Sequence, residues 1–202
     1  RDFNLNRFER YLSITNDGGI TPIIILNKID LISENELNQM LTQIKNRFGD
    51  INVIPISTLT NDGVDKLKEC VLKEKTYCFL GSSGVGKSSL INKLLEEDLI
   101  KTETIGSRTD RGKHATTNRE MYFLKNGAMV IDNPGMREVG ITDVESGINQ
   151  QFDDIITMAE KCKYADCTHV HEPDCAVLSA VESGELDKEK YQNYINLRKE
   201  AE

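Results

Sequence analysis

Residues 81–88 read Gly81-Ser82-Ser83-Gly84-Val85-Gly86-Lys87-Ser88, which is the spacing G-x-x-x-x-G-K-[ST] of a backbone that wraps phosphates. Glycines at these positions let successive N–H groups and a following helix N-terminus face negative charge. Lys87 would set its ammonium on the β- and γ-phosphates, where it assists transfer, and the Ser88 hydroxyl would ligate Mg²⁺. With Ser89 included, residues 81–89 form the expected phosphate-binding set.

A second group, Asn27-Lys28-Ile29-Asp30, follows the apolar run Pro22–Leu26, at the end of a strand where open α/β sheets hold ligands. A carboxylate there can accept from both N1–H and the 2-amino group of guanine. Adenine offers neither donor, so a pocket built around Asp30 rejects it. Ser57-Thr58-Leu59, after the next strand, would add contacts to the base through Ser57. Asp132-Asn-Pro-Gly135 matches D-x-x-G, with Asp132 placed to hold Mg²⁺ through water and Gly135 to offer its N–H to the γ-phosphate. Between these motifs lie Gly112-Lys113-His114-Ala115-Thr116-Thr117, whose threonines would close the Mg²⁺ shell, Thr116 being preferred to Thr117. Met136 follows Gly135, and a thioether cannot orient an attacking water. His114 is the nearest competent group for that task, with Arg108, Arg111 and Arg119 as alternatives for neutralising developing charge.

The third constellation is Cys162-x4-Cys167-x-His169-x5-Cys175. Three thiolates and one imidazole suit tetrahedral Zn²⁺ with no open position, which makes the site structural rather than catalytic. His171, two residues on, is an alternative imidazole. Cys70 and Cys78 fall in a helix and a strand and are expected to pack as small hydrophobes.

These groups need elements to position them. Phe3 to Asn16 reads as a helix with Phe3, Phe8 and Leu12 along one face. Pro22 to Leu26, Ile51 to Ile56 and Thr76 to Leu80 read as buried strands, and Ser33 with Glu36 forms a capping box for a helix to about Phe48. Helices are expected over Asp65–Leu72 and Lys87–Glu96, a mobile loop over 106–118, and a hairpin of Arg119–Leu124 with Ala128–Ile131 around a two-residue Asn126-Gly127 turn. Strand–helix alternation predicts a mostly parallel sheet covered by helices. After about Val144 the pattern turns wholly helical, and Tyr191, Tyr194 and Leu197 share a face that would wrap the metal knot. The expected domains are 1–145, an α/β nucleotide-binding domain, and 146–202, a helical zinc-binding domain.

The 202 residues carry 25 Lys and Arg against 33 Asp and Glu, a formal charge of −8. That balance opposes a whole-surface grip on nucleic acid but permits a local basic patch, and residues 105–119 hold Arg108, Arg111, Lys113 and Arg119 against Asp110 alone. No window approaches the roughly 18 apolar residues of a spanning helix. A cytoplasmic monomer without membrane partners is the expectation, and because the chain begins at Arg1, further sequence upstream is expected too.

The order is informative: base reader at 27, phosphate loop at 81, D-x-x-G at 132, a rotation of the usual Ras-like order. Together with CKYADCTHVHEPDC at 162–175, the motifs NKID, GSSGVGKS, RGKHATT and DNPGMRE resemble the circularly permuted ribosome-associated GTPases of the RsgA (YjeQ/EngC) family. The resemblance implies a circularly permuted Ras-like fold and a zinc-binding helical tail, together with an OB-fold and a central strand between the phosphate-loop strand and the NKID strand, both absent from residues 1–202 and expected in sequence upstream. It also implies GTP hydrolysis stimulated by the small ribosomal subunit, contact with its rRNA, a role in its maturation, His169 rather than His171 as zinc ligand, and a catalytic role for His114. Ala115 departs from the family's usual Thr and shifts the Mg²⁺ role to Thr116 and Thr117. Two other readings stand beside this one: a GTP/GDP-gated binding module whose hydrolysis is incidental, and an ATP-using phosphotransfer enzyme, which Asp30 opposes.

Overall fold

The computed structural model describes residues 3–82, 84–97, 100, 120–132 and 144–201. Ser83, His114, Thr116, Thr117, Gly135 and the arginines at 108, 111 and 119 lie outside the described residues. The chain forms two compact units, one of Ile23–Val139 and one of Phe3–Pro22 with Gly140–Glu202.

In the first unit the elements are β1 (Ile24–Leu26), a 3-10 turn (Ile29–Leu31), α2 (Glu34–Phe48), β2 (Val53–Pro55), α3 (Val64–Cys70), β3 (Thr76–Cys78), α4 (Lys87–Leu95), β4 (Glu120–Phe123) and β5 (Met129–Asp132), with α1 (Leu5–Asp17) preceding them in the chain. β1 pairs β2 in parallel, with Ile24 opposite Val53. β3 pairs β5 in parallel, and β5 pairs β4 antiparallel. The sheet is therefore mostly parallel, but it comes in two pieces of order β1-β2 and β3-β5-β4. Among the described residues β1 has no strand neighbour besides β2, and β3 none besides β5. The division falls between the phosphate-loop strand and the NKID strand.

That division corrects one expectation. β3 is not buried on both faces, because Thr76 and Cys78 are exposed. A strand hydrogen-bonded along one edge only lacks the cover that would make Cys78 a core residue, so only Cys70, half-buried against the core, packs as expected. The core of this unit is Ile54 and Ile56 from the β2 region, Leu67 of α3, Leu90, Ile91 and Leu94 of α4, and Val130 of β5.

Local chemistry explains the element ends. Ser33 Oγ accepts from the Glu36 N–H at 3.3 Å while the Glu36 carboxylate accepts from the Ser33 N–H at 2.8 Å, the reciprocal box that satisfies two free donors at the start of α2 and contributes about 1 kcal/mol. The hairpin between β4 and β5 differs from the two-residue turn expected. Gly127 N–H donates to Leu124 C=O at 2.9 Å and Leu124 N–H to Ala128 C=O at 2.8 Å, so three residues connect the strands. Gly127 has φ +85°, the left-handed position that ends a three-residue hairpin loop.

The second unit contains α1, α5 (Glu145–Gln151), α6 (Asp153–Ala159), α7 (Ala176–Ser183) and α8 (Lys188–Ala201). Its core gathers Ile148, Phe152, Ile155, Val177, Tyr194 and Leu197, with the Phe152 and Tyr194 rings 5.4 Å apart. In space residues 3–22 group with this unit, whereas the expected boundary counted them with the nucleotide-binding domain. The face that α1 buries also differs: Glu9, Leu12 and Ser13 are buried, rather than Phe3 and Phe8 with Leu12. The physical reason is a close crossing with α5. A Cβ on Gly147 would lie 2.0 Å from Ser13 O and 2.8 Å from Asp17 Cβ, and Asn193 Nδ2 donates to Glu9 Oε2 at 2.6 Å, so a buried carboxylate is paired. Gly147→Ala is accordingly expected to cost about 1–3 kcal/mol through overpacking, read as a lowered urea midpoint with an unchanged slope; an unshifted midpoint would mean that the two helices do not meet at this glycine.

Candidate nucleotide site and candidate metal centre

Three loops at strand ends meet in the first unit. Asn27, just past β1, donates from Nδ2 to Val85 C=O at 2.9 Å, and its Oδ1 accepts from Lys28 N–H at 2.8 Å and Thr58 N–H at 3.3 Å. Lys28, held at φ 68°, donates from Nζ to Gly84 C=O at 2.7 Å. Residues 56 and 58 positions apart in the chain are thus fastened together. Gly86, at φ +97°, opens α4 and approaches the same amide so closely that a Cβ would stand 2.3 Å from Asn27 Nδ2; only glycine allows both the turn and the approach.

Asp30 lies in the 3-10 turn after Lys28. Ser57 Oγ, fully buried, donates to Asp30 Oδ1 at 2.5 Å and accepts from the N–H groups of Leu59 and Thr60. A hydroxyl wired in this way orients the carboxylate, while the Asp30 side chain remains exposed at the surface.

On the phosphate side, Lys87 Nζ donates to Gly81 C=O at 2.7 Å and Ser82 C=O at 2.9 Å, folded over its own loop. Burial lowers its pKa, opposed by the charge of Asp132. Burial in turn raises Asp132, with Glu120 adding to the rise and Lys87 opposing it. Asp132 ends β5 directly opposite Glu120 of β4, so two carboxylates and one ammonium sit around the place expected for a phosphate-bound cation. Ser88, half-buried in the first turn of α4, and Asp132 supply the hard oxygen donors that Mg²⁺ prefers. Glu120 was absent from the sequence reading; its register opposite Asp132 is the only signal that would have pointed to it.

In the second unit Cys162, Cys167, His169 and Cys175 offer ligand atoms that all lie within 4.8 Å of one another. His171 is exposed and outside this group. The separations are Cys162 Sγ to Cys175 Sγ 3.8 Å, His169 Nδ1 to Cys162 Sγ 3.6 Å, and His169 Nδ1 to Cys175 Sγ 3.5 Å. A tetrahedral Zn²⁺ with Zn–S of about 2.3 Å and Zn–N of about 2.0 Å has S···S edges of about 3.8 Å and S···N edges of about 3.5 Å. The donor set therefore fits zinc in both chemistry and size.

The thiols also influence one another's ionisation. Burial works to raise the Cys162 thiol, but the N–H groups of Ala176 and Val177 and the neighbouring thiols overcome it and hold it below its ordinary value. Burial pushes Cys167 up to about 12, and the thiols of Cys175 and Cys162 add to that. Three sulfurs this close all ionise only against a dication. Burial, helped by the Arg198 charge, lowers the pKa of His169, which favours the neutral imidazole that a metal needs. His169 sits at φ +60°, a left-handed conformation that costs a non-glycine residue about 1 kcal/mol. Tyr191 of α8 donates from its hydroxyl to His169 C=O at 2.7 Å, so the shared face of α8 does touch the knot.

One residue of this centre went unread in the sequence. Glu172 accepts from Thr168 N–H at 3.0 Å, Val170 N–H at 3.1 Å and His171 N–H at 3.2 Å, and from the Thr168 hydroxyl. The Thr168 hydroxyl foremost, then the backbone donors, hold its carboxyl well below the usual range. No spacing rule marks such a residue, because its partners are backbone groups within four positions of it.

Comparison with known proteins agrees with this arrangement. The family model for the RsgA GTPase matches residues 1–142. The chain is 44% identical over 200 residues to a small ribosomal subunit biogenesis GTPase RsgA of Methanosarcina acetivorans, covering 99% of this chain and 54% of that protein. It is 44% identical over 199 residues to an RsgA 2 of Listeria monocytogenes, covering 98% and 57%. The chain thus spans about half the length of these curated relatives. Among solved structures, YjeQ from Thermotoga maritima aligns with a TM-score of 0.64 and 26% identity over 96% of this chain and 65% of that one. YloQ, described as a circularly permuted GTPase, aligns at 0.64 and 27% over 96% and 61%. With the phosphate loop after the base reader in chain order, the Cys₃His set behind them, and a family match over residues 1–142, the chain belongs to the RsgA GTPase family.

Proposed function

We propose that this chain binds GTP, hydrolyses it to GDP and phosphate, and uses that cycle in biogenesis of the small ribosomal subunit. The observation that carries the reading is the fastening of Asn27 and Lys28 to Gly84 and Val85, which joins a carboxylate able to read guanine to a loop able to cradle phosphates. Asp30, braced by Ser57, receives N1–H and the 2-amino group, and the backbone of 81–89 with Lys87 receives the phosphates. Ser88, Thr116 and Asp132 hold Mg²⁺, which neutralises charge between the β- and γ-phosphates when bound. Gly135 meets the γ-phosphate, and His114 orients the attacking water in place of the glutamine that Met136 replaces. Cys162, Cys167, His169 and Cys175 hold a structural Zn²⁺.

The names of the relatives support the ribosomal role, and the basic stretch of sequence at 105–119 supplies phosphate-seeking side chains for rRNA. Action on the ribosome is consistent with a cytoplasmic protein, and the reading takes it as a monomer; among the described residues no helix is long and apolar enough to cross a membrane.

Met136 favours a second reading, in which GTP and GDP select loop states that recruit or release a partner and hydrolysis is incidental. Multiple-turnover GTPase assays on the full-length protein, with and without small ribosomal subunits, separate the two. Stimulation that His114→Ala abolishes is the expected result. Stimulation surviving in the variant moves catalysis to an arginine or to the ribosome, and tight GTP binding without stimulation favours the gated module.

A further inference from the structure

We propose that Glu172 is the positioning residue of the metal centre: its carboxylate folds residues 168–172 into a closed turn that presents His169 Nδ1 to the three thiols. This rests on the metal reading above and adds a residue that ligates nothing. Three backbone N–H groups, those of Thr168, Val170 and His171, converge on one side chain together with the Thr168 hydroxyl. The donors bracket His169 on both sides in sequence. Without an acceptor at their centre, N–H groups of successive residues would turn outward to water, and the left-handed conformation at His169 would lose its support. Tyr191 holds the His169 carbonyl as well, so the backbone on both sides of the imidazole is fixed by partners outside the proposed ligand set. Groups of this kind tune affinity by 10- to 100-fold, or about that, because they set where the ligand atom points before the metal arrives.

The test uses the 202-residue chain loaded with Zn²⁺ and titrated against a colorimetric chelator, alongside Co²⁺ substitution to read ligand geometry from thiolate and d–d absorption. Glu172→Ala is expected to weaken metal affinity roughly 10- to 100-fold and to shift the Co²⁺ bands. Glu172→Gln, which keeps one acceptor oxygen, is expected to lose less. Glu182→Gln, which alters an exposed carboxylate on α7, serves as the surface control and should leave both readouts unchanged. Affinity within twofold of the parent in Glu172→Ala overturns the proposal. Should that variant fail to fold, Glu172→Gln decides, with parental affinity and spectrum again overturning it. If the parent chain itself takes up no zinc, the metal reading fails instead, a result distinct from either.

Discussion

Asp30→Asn is expected to lower affinity for GTP about 100- to 1,000-fold, and to make xanthosine triphosphate the better ligand. Each hydrogen bond to an ionised carboxylate contributes roughly 1.5–3 kcal/mol, and guanine offers two such donors at N1 and the 2-amino group. An asparagine turns one acceptor into a donor that faces the 2-amino group, which leaves polar groups opposed rather than paired. Xanthine carries a carbonyl in place of that amino group and accepts from the new amide. Ser57 makes the exchange directional: its hydroxyl donates to Oδ1, so it retains the amide oxygen on its own side and turns the NH₂ toward the base. Equilibrium binding of labelled GTP and xanthosine triphosphate to both proteins checks this. Equal loss for both nucleotides would make Asp30 a structural brace, and no loss for GTP would remove it from the site.

Cys175→Ser is expected to reduce zinc content from one ion per chain to none and to unfold the second unit at ordinary temperature. Structural zinc in small domains contributes about 10–16 kcal/mol of apparent binding energy at neutral pH, all of it spent on the folded state. Cys175 is 3% exposed, its sulfur also receives the Leu178 N–H at the start of α7, and it lies in the same cluster as Phe152 and Tyr194, so loss of the metal is felt by the whole helical core. Cys78→Ser, at an exposed site on β3, should change stability by no more than about 0.5 kcal/mol. Metal analysis and thermal melting with and without chelator give the comparison. Acid should act in the same sense: zinc binds the deprotonated thiols, so affinity falls as pH falls and protons compete for sulfur. A serine variant that keeps its zinc, or melts like the parent, would place the ligands elsewhere.

What the sequence disclosed follows from where information is local. Ser33 and Glu36 are three residues apart and cap a helix regardless of the rest of the molecule; the candidate phosphate loop, NKID and the four candidate metal ligands are likewise short patterns whose expected chemistry is contained in their spacing. The partner of α1 is not local. Apolar periodicity in residues 3–16 predicts a helix with an inward face, but the face buried carries Glu9 and Ser13, and what selects it is a glycine at 147 and an asparagine at 193. Periodicity cannot see a buried carboxylate whose partner lies 184 positions away. Cys78 shows the converse: β-branched and apolar neighbours identify the strand correctly, yet burial depends on strands packed beside it. Glu172 escaped because its role is made of backbone donors, which every sequence possesses equally.

The bonds from Asn27 to Val85 and from Lys28 to Gly84 have a thermodynamic consequence. In the proposed site they join the half that would read the base to the half that would grip the phosphates, so the free energy of binding a guanine nucleotide is expected not to be the sum of what guanosine and pyrophosphate would contribute apart. Occupying either half biases the other by an equal amount, as linkage requires, and damage to one is felt in both. A double-mutant cycle between Asn27 and a phosphate-loop residue would register this as an interaction energy rather than as two independent losses.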